Sequence, residues 1–367
     1  MITITGAYNT AIVYADKIDS GAEGLLRALC GSPVSEGSTI RVMPDVHAGK
    51  GCAIGTTMTV TDRVMPGLVG VDIGCGITVC RFRAKRFEAQ KMDKLIREKI
   101  PSGRAIRPSP HRFYERVDLD ALRCARHIQK SKALCSIGSL GGGNHFIELD
   151  RDEAGGLWLI IHSGSRRLGT EVASYYHELA YKETTPEGVP YEFAVATGTL
   201  KDDYLHDMAI AQNFAEQNRL AMADEIVRGM KWDIEDSFSS VHNYIDTSER
   251  MLRKGAVSAK AGERLIIPMN MRDGCLLCIG KGNPDWNCSA PHGAGRLMSR
   301  AEAKQSFTLS QYKKEMSGIY TTSVSRETLD ESPMAYKPTD SILPQLLPTA
   351  EVTERLKPVY NYKAGEE

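Results

Sequence analysis

The sequence has no excess of charge of either sign: 46 Lys and Arg face 46 Asp and Glu. Non-specific coating of nucleic acid or an anionic surface needs a strong positive field, so that class is excluded, although a local basic groove is not. Long hydrophobic runs are also missing. Nothing approaches the roughly 18 apolar residues that cross a bilayer, which excludes a helical membrane anchor. The opening residues, MITITGAYNTAIVYADKID, lack a basic segment followed by an apolar stretch, so no export signal is expected. A P-loop is absent, because Gly49-Lys50-Gly51 has neither the spacing nor the Ser/Thr. No GxGxxG follows a strand-like segment either, so a bound nucleotide would need an unrelated pocket. Fixed-period repeats, low-complexity blocks and long linkers are not seen, which excludes a solenoid.

What is present is globular in character: 42% hydrophobic and 25% charged residues, enough to bury a sizeable core. The nine cysteines are odd in number and scattered. Without an export signal they read as reduced thiols or metal ligands of a cytoplasmic protein. Cys275-x-x-Cys278 has no second pair and lies in the apolar run CLLCIG, so it reads as strand interior.

Residues 38–82 are short apolar runs broken by glycine and read as strands and tight turns. Helical spacing is seen over 86–100, and helices are expected at 116–132, 171–182, 203–230 and within 297–317. Strands are expected around 133–149 and at 156–163, 263–268 and 275–280. Residues 281–296 read as a loop, and the proline-punctuated tail from 332 to 367 as a surface wrap. Strands and helices mix without a βαβ rhythm, so the expected class is α+β, a single irregular domain of mixed sheets flanked by helices. The polar residues of interest run from 45 to 363 and can meet only in one such domain, 1–367.

Three groups carry chemistry. Asp72 and Cys75 stand three apart on the glycine-rich turn Gly70-Val-Asp-Ile-Gly-Cys-Gly76. Glycines let that backbone bend until both side chains converge, and a carboxylate with a thiolate suits a borderline divalent metal. His145, His162 and His242 each close an apolar run beside small polar residues, where a rigid element can offer a neutral imidazole to an ion. Five such ligands with one shared sulfur allow two adjacent ions, which suit phosphoryl chemistry. A lone histidine of this kind is more often structural, and Asp72-x-x-Cys75 alone could be an ordinary turn with a buried cysteine. His292 precedes a Gly-x-Gly turn and an expected helix N-terminus, where backbone N–H groups can meet a phosphate. It could attack phosphorus and hold it covalently, or merely cap a loop. Arg166, Arg167, Arg253, Lys254, Arg296 and Arg300 lie near these groups and could bind phosphates or be solvated surface charges.

Assembled in order, MPDVHAGKGCAIG, GLVGVDIGCGI, GGGNHFIEL, IIHSGSRRLG, VHNYID, RKGA and SAPHGAGRLMSR make the chain resemble the RtcB family of RNA ligases from about residue 40 onward. The resemblance implies the RtcB-like fold, two Mn2+ ions and GTP. It implies that Cys75 bridges the ions, with Asp72 and His145 completing one site and His162 and His242 the other. His292 would become guanylylated, with Asp45 in a supporting acidic position. Asn144, Phe146, Glu148, Tyr336 and Lys363 would line the nucleotide pocket, together with Gly293, Ala294 and Gly295. Arg166, Asn243, Lys254 and Arg300 would hold RNA or triphosphate oxygens. The implied reaction joins an RNA 3′-phosphate or 2′,3′-cyclic phosphate end to a 5′-hydroxyl, in RNA repair or tRNA splicing. Some compact members of the family are associated with a release-factor homologue, an implied partner here. Where the family commonly reads PGSMGT, residues 268–274 read PMNMRDG. That change leaves guanine selectivity open and offers Asn270 as a different pocket contact. The rival readings are a metal-dependent phosphatase or cyclic phosphodiesterase with a structural His292, and an RNA-binding protein without catalysis.

Overall fold

The computed structural model describes residues 1–84, 86–184 and 189–365. A seven-stranded antiparallel sheet runs, in spatial order, Arg264–Asn270, Gly274–Gly280, Ala350–Lys363, Phe146–Arg151, Leu157–Ser163, Gly76–Phe82 and Ile234–Val241. Period-two alternation gives each strand two faces. Ile147, Leu149, Leu159, Ile161, Tyr360 and Tyr362 form an apolar face. It buries Met92 and Ile96 of helix Ala89–Lys99 and Met222 and Ile226 of helix Gly198–Met230. Side chains of opposite parity carry the chemistry. Lys363, Phe146 and His162 are cross-strand partners in one row, and Asn361, Glu148 and Ile160 in the next.

A second sheet has the order Ile2–Thr5, Thr10–Val13, Ile40–His47, Ile54–Thr59, Met251–Lys254 and Asn243–Asp246. Thr10–Val13 pairs in parallel with Ile40–His47, and the other neighbours are antiparallel. A two-stranded ribbon, Ala256–Ser258 with Ser289–Pro291, ends beside His292. Helix Gly198–Met230 has 33 residues and packs against helix Arg166–Thr184 on one side and the large sheet on another. A helix enclosed in this way buries residues all round, which accounts for its alanine-rich sequence.

The mixed α+β reading holds, and the expected helices at 86–100, 171–182 and 203–230 are found with shifted ends. Three local expectations are corrected, and the helix expected within 297–317 is found as two. Residues 116–132 do not form one helix: 3-10 turns occupy Arg112–Arg116 and Ala125–His127, before helix Lys130–Ser136. Asp118 takes the N–H groups of Asp120 and Ala121, and Asp207 takes those of Arg123 and Cys124, so helical carbonyls do not receive them. The strand expected around 133–149 starts only at Phe146, after the glycine turns at Gly141 and Gly143, which have positive φ. Residues 297–317 split into helices Arg300–Ser306 and Leu309–Glu315, each begun by its own capping box, Ser299/Glu302 and Thr308/Gln311.

The largest correction is the tail. It forms helix Thr339–Leu346 and then the 14-residue strand Ala350–Lys363, with sheet neighbours on both sides. The tail's prolines argued for a surface wrap, but Pro358 is accommodated where the register shifts between Pro358 and Tyr360. Glu366 and Glu367 lie outside the described residues. Because Leu356 is fully buried in this strand, Leu356→Ala should cost about 2–5 kcal/mol in urea denaturation. A loss under about 0.5 kcal/mol would mean a peripheral tail.

Candidate functional site

The five residues expected to bind metal meet in two buried groups that share Cys75: Asp72, Cys75 and His145, and Cys75, His162 and His242. Cys75 Sγ lies 3.5 Å from His145 Nε2 and 3.3 Å from His162 Nε2. His145 Nε2 is 3.2 Å from Asp72 Oδ2, and His162 Nε2 is 3.2 Å from His242 Nε2. The outer nitrogens fix the tautomers. His145 Nδ1 donates to the Leu140 carbonyl at 2.9 Å, and His162 Nδ1 to that of Asn144 at 3.1 Å. Both Nε2 atoms therefore present lone pairs to the sulfur and to each other's neighbours. Burial lowers the pKa values of His162 and His242 well below the ordinary range, and nearby imidazoles add to the effect. Burial, then the Asp72 charge, pushes the Cys75 thiol well up. Lone pairs facing lone pairs, around a thiol that only a cation would ionise, fit divalent metal ions.

The long helix holds this group in place. Fully buried Arg219 donates to the carbonyls of Gly74 and Ser163, both at 2.9 Å, and to Thr78 Oγ1. Its neighbour Asn218 accepts the N–H groups of Gly138 and Ser139 and donates to Ser163 Oγ and the Gly164 carbonyl. Two glycines permit the approach. A Cβ on Gly74, whose φ is +73°, would lie 2.8 Å from Gln212 Cα of the helix, and one on Gly164 would strike the Asp72 carboxylate at 2.0 Å. Neither Asn218 nor Arg219 was picked out in the sequence. No sequence signal separates them from the many other polar residues of that helix.

His292 stands beside the cluster, its ring centre 4.8 Å from that of His242. Asp45, with no exposed surface, accepts from His292 Nδ1 at 2.7 Å and from its backbone N–H at 3.2 Å. The carboxylate fixes the Nδ1–H tautomer and leaves the lone pair on Nε2.

His292, His162 and His242 border a cavity of about 840 Å³. Every residue expected in a nucleotide pocket lines it: Asn144, Phe146, Glu148, Asn270, Gly293, Ala294, Gly295, Tyr336 and Lys363. The Asn270 amide is already engaged by its own turn, accepting from the N–H groups of Arg272 and Asp273 and donating to the Asp273 carboxylate. It shapes the wall. Arg300, expected to hold RNA or triphosphate oxygens, lines this cavity too. It joins Lys363, Arg296 and the Tyr336 hydroxyl around buried Glu331, a residue the sequence did not flag. Burial alone would raise the Glu331 pKa, but the charges of Lys363, Arg300 and Arg296 bring it down to about 2.

Arg166 and Lys254 lie near Asp72 and Cys75 but do not line this cavity. Arg166, at φ +55°, donates to Ser139 Oγ and the Gly103 carbonyl and passes close to Gly141 beside His145. Lys254 Nζ donates to the Val69 carbonyl. Asn243 accepts the Gly255 N–H through its side chain. Arg253 is buried against Ser289 and Tyr244, and Arg167 forms a surface pair with Glu171. Cys275 and Cys278 are buried on opposite sides of their strand, as strand interior requires.

A family model described as tRNA-splicing ligase RtcB matches residues 33–123 and 115–364. The RNA-splicing ligase RtcB of Escherichia coli (strain K12) is 32% identical over 363 residues, covering 87% of this chain and 88% of that protein. The tRNA-splicing ligase RtcB of Aeropyrum pernix is 28% identical, with 90% of each chain covered, and that of Archaeoglobus fulgidus 28%, with 82% of each.

Glu331 makes a prediction about acid stability. Its folded pKa lies below the ordinary value of about 4.3. The stability it contributes is therefore full above the ordinary value and lost as pH falls through about 2. Glu331→Gln should reduce the fall of the urea midpoint between those limits, and an unchanged slope would count against an ionised Glu331.

Proposed function

Since the chain belongs to the RtcB family of RNA ligases, we propose that it joins RNA ends by passing a guanylyl group through His292. The observation that carries this reading is the buried Asp45 carboxylate on His292 Nδ1, beside a metal-ligand cluster and at the edge of a large cavity. That cavity supports GTP as the donor. The ions would be held by Cys75 with Asp72 and His145, and by Cys75 with His162 and His242; Mn2+ is the choice the family resemblance favours. When bound, such ions neutralise charge developing on phosphoryl oxygens.

His292 Nε2 uses its lone pair to attack the α-phosphorus of GTP. The bond to the bridging oxygen breaks, and pyrophosphate leaves with the electron pair. Asp45 stabilises the positive charge that develops on the imidazole. An oxygen of the RNA 3′-phosphate then displaces His292 from the guanylyl phosphorus, and the imidazole becomes neutral again. A 2′,3′-cyclic phosphate would first be opened by water. A 5′-hydroxyl oxygen finally attacks the 3′-phosphate, its proton passes to solvent, GMP departs, and a phosphodiester remains. Guanylylation turns a poor leaving group into GMP. Lys363, Arg296 and Arg300 on the cavity wall suit the nucleotide's phosphates, and the Glu148 carboxylate suits the donor edge of guanine. Arg166, Lys254 and Asn243 are read as the RNA-facing side.

The reading includes one catalytic domain spanning 1–367 and a cytoplasmic setting. On resemblance alone it extends to tRNA or ribosomal RNA fragments as substrates and to a release-factor homologue as partner. Among the described residues no helix is long and apolar enough to cross a membrane.

Incubation with Mn2+ and α-labelled GTP should label the protein. His292→Ala should abolish the label, and Asp45→Asn should slow its appearance roughly 10²-fold or more. Equal labelling of His292→Ala, or none of the wild type under varied metals, would leave His292 structural and favour a phosphatase. Labelled ATP in the same assay tests base choice. By metal analysis, Cys75→Ala should lose both ions and His162→Ala mainly one. Full occupancy of both variants would rule out a bridging thiolate.

A further inference from the structure

The cavity's Glu148 has a buried neighbour that the ligase mechanism does not use. Asp150 lies two residues further along strand Phe146–Arg151 and has no exposed surface. Neither of its carboxylate oxygens has a hydrogen-bond partner. An ionised carboxylate left without donors in a buried place is costly, and such groups are rare in folded proteins. The acceptors around it make this worse. Glu148, Asp150 and Cys275 of strand Gly274–Gly280 lie with their polar atoms within 4.8 Å of one another. Two carboxylates at that separation, away from water, cannot both hold a charge. One proton between them removes both difficulties.

The surroundings decide where that proton sits. Glu148 Oε2 accepts from Asn361 Nδ2 at 2.6 Å, and Glu148 Oε1 lies 3.6 Å from the Cys275 thiol, which points to it as donor. The Lys363 ammonium adds a favourable charge. Asn361 and Lys363 favour a charged Glu148, whereas the Cys275 thiol faces both carboxyl groups and is the one donor near Asp150. We propose that Asp150 is a carboxylic acid in the folded protein and a positioning residue, whose O–H donates to Glu148 and fixes the carboxylate that reads the nucleotide base. The base-reading role rests on the nucleotide reading of the cavity; the protonated acid does not. Burial, reinforced by the Glu148 charge, raises the Asp150 pKa well above the ordinary range, in keeping with this placement. The Cys275 thiol is likewise pushed up by burial and the two carboxyl groups, so it stays a donor.

The arrangement gives an uncommon substitution pattern. An amide can replace a neutral acid, because its N–H donates where the O–H did, whereas a charged carboxylate or metal ligand has no amide equivalent. The full-length protein labelled with ¹³C-aspartate should show, by isotope-edited infrared at neutral pH without nucleotide, a protonated-carboxyl C=O band that Asp150→Asn removes. GMP affinity, measured by calorimetry, should change by less than about threefold in Asp150→Asn and weaken roughly tenfold in Asp150→Ala. Absence of the band from the wild type would overturn the proposal. So would a third metal ion per chain that Asp150→Asn loses. Equal weakening in the Asn and Ala variants would overturn the positioning role. No GMP binding by a wild type that shows the band would refute the base-reading role and leave the buried acid standing.

Discussion

The guanidinium of Arg219 ties the site together. It reaches from the middle of the longest helix to the carbonyls of Gly74 and Ser163. Those carbonyls belong to the two turns that carry Asp72 and Cys75 on one side and follow His162 on the other. The cation is wholly buried, and a buried cation is tolerated only where fixed acceptors receive its donors. The turns are therefore held by an interaction that cannot be loosened without stranding a charge. Asn218 does the same for the loop before His145. Ligands from three separate stretches of chain thus share one anchor, and His242 is tied to it through its backbone N–H on the Cys75 carbonyl. Their spacing is set by a rigid helix and not by the flexible glycines beside them.

Around that anchor the polar groups divide into two characters. The group around Cys75 turns imidazole lone pairs and a carboxylate inward, on a thiol that a cation would ionise. It is shaped for positive charge. The cavity wall beyond His292 has three cations gathered on Glu331, and it is shaped for negative charge. His292 lies on the boundary, where an anionic phosphate could face cations on both sides. Electrostatic preorganisation of this kind needs no movement at the moment of reaction.

Much of the site was legible in the sequence because its residues follow local rules. The candidate metal-ligating histidines close apolar runs beside small residues, and strand alternation sets Phe146 and Glu148 on the face that also bears His162. What was not legible depends on distant chain. Arg219 reads as one more residue of an alanine-rich helix until the turns it holds are known. Glu331, in a short 3-10 turn, gains its meaning only from Lys363, Arg296 and Arg300. Asn270, offered by the sequence as a pocket contact, does line the cavity, but the PMNMRDG turn that also engages its amide was not visible. The tail misled because its prolines read as strand breakers, and a register shift absorbs Pro358.

Strand Ala350–Lys363 lies between Gly274–Gly280 and Phe146–Arg151, which precede it by about seventy and two hundred residues. Until residue 363 has been made, both strands show a bare edge in the middle of what will become one sheet, and such edges invite wrong pairings. Asn361 and Lys363 arrive on that same strand. A growing chain therefore contains every candidate metal ligand and His292 before it contains the strand that completes the cavity wall. The cavity is the last part of the site that synthesis can close.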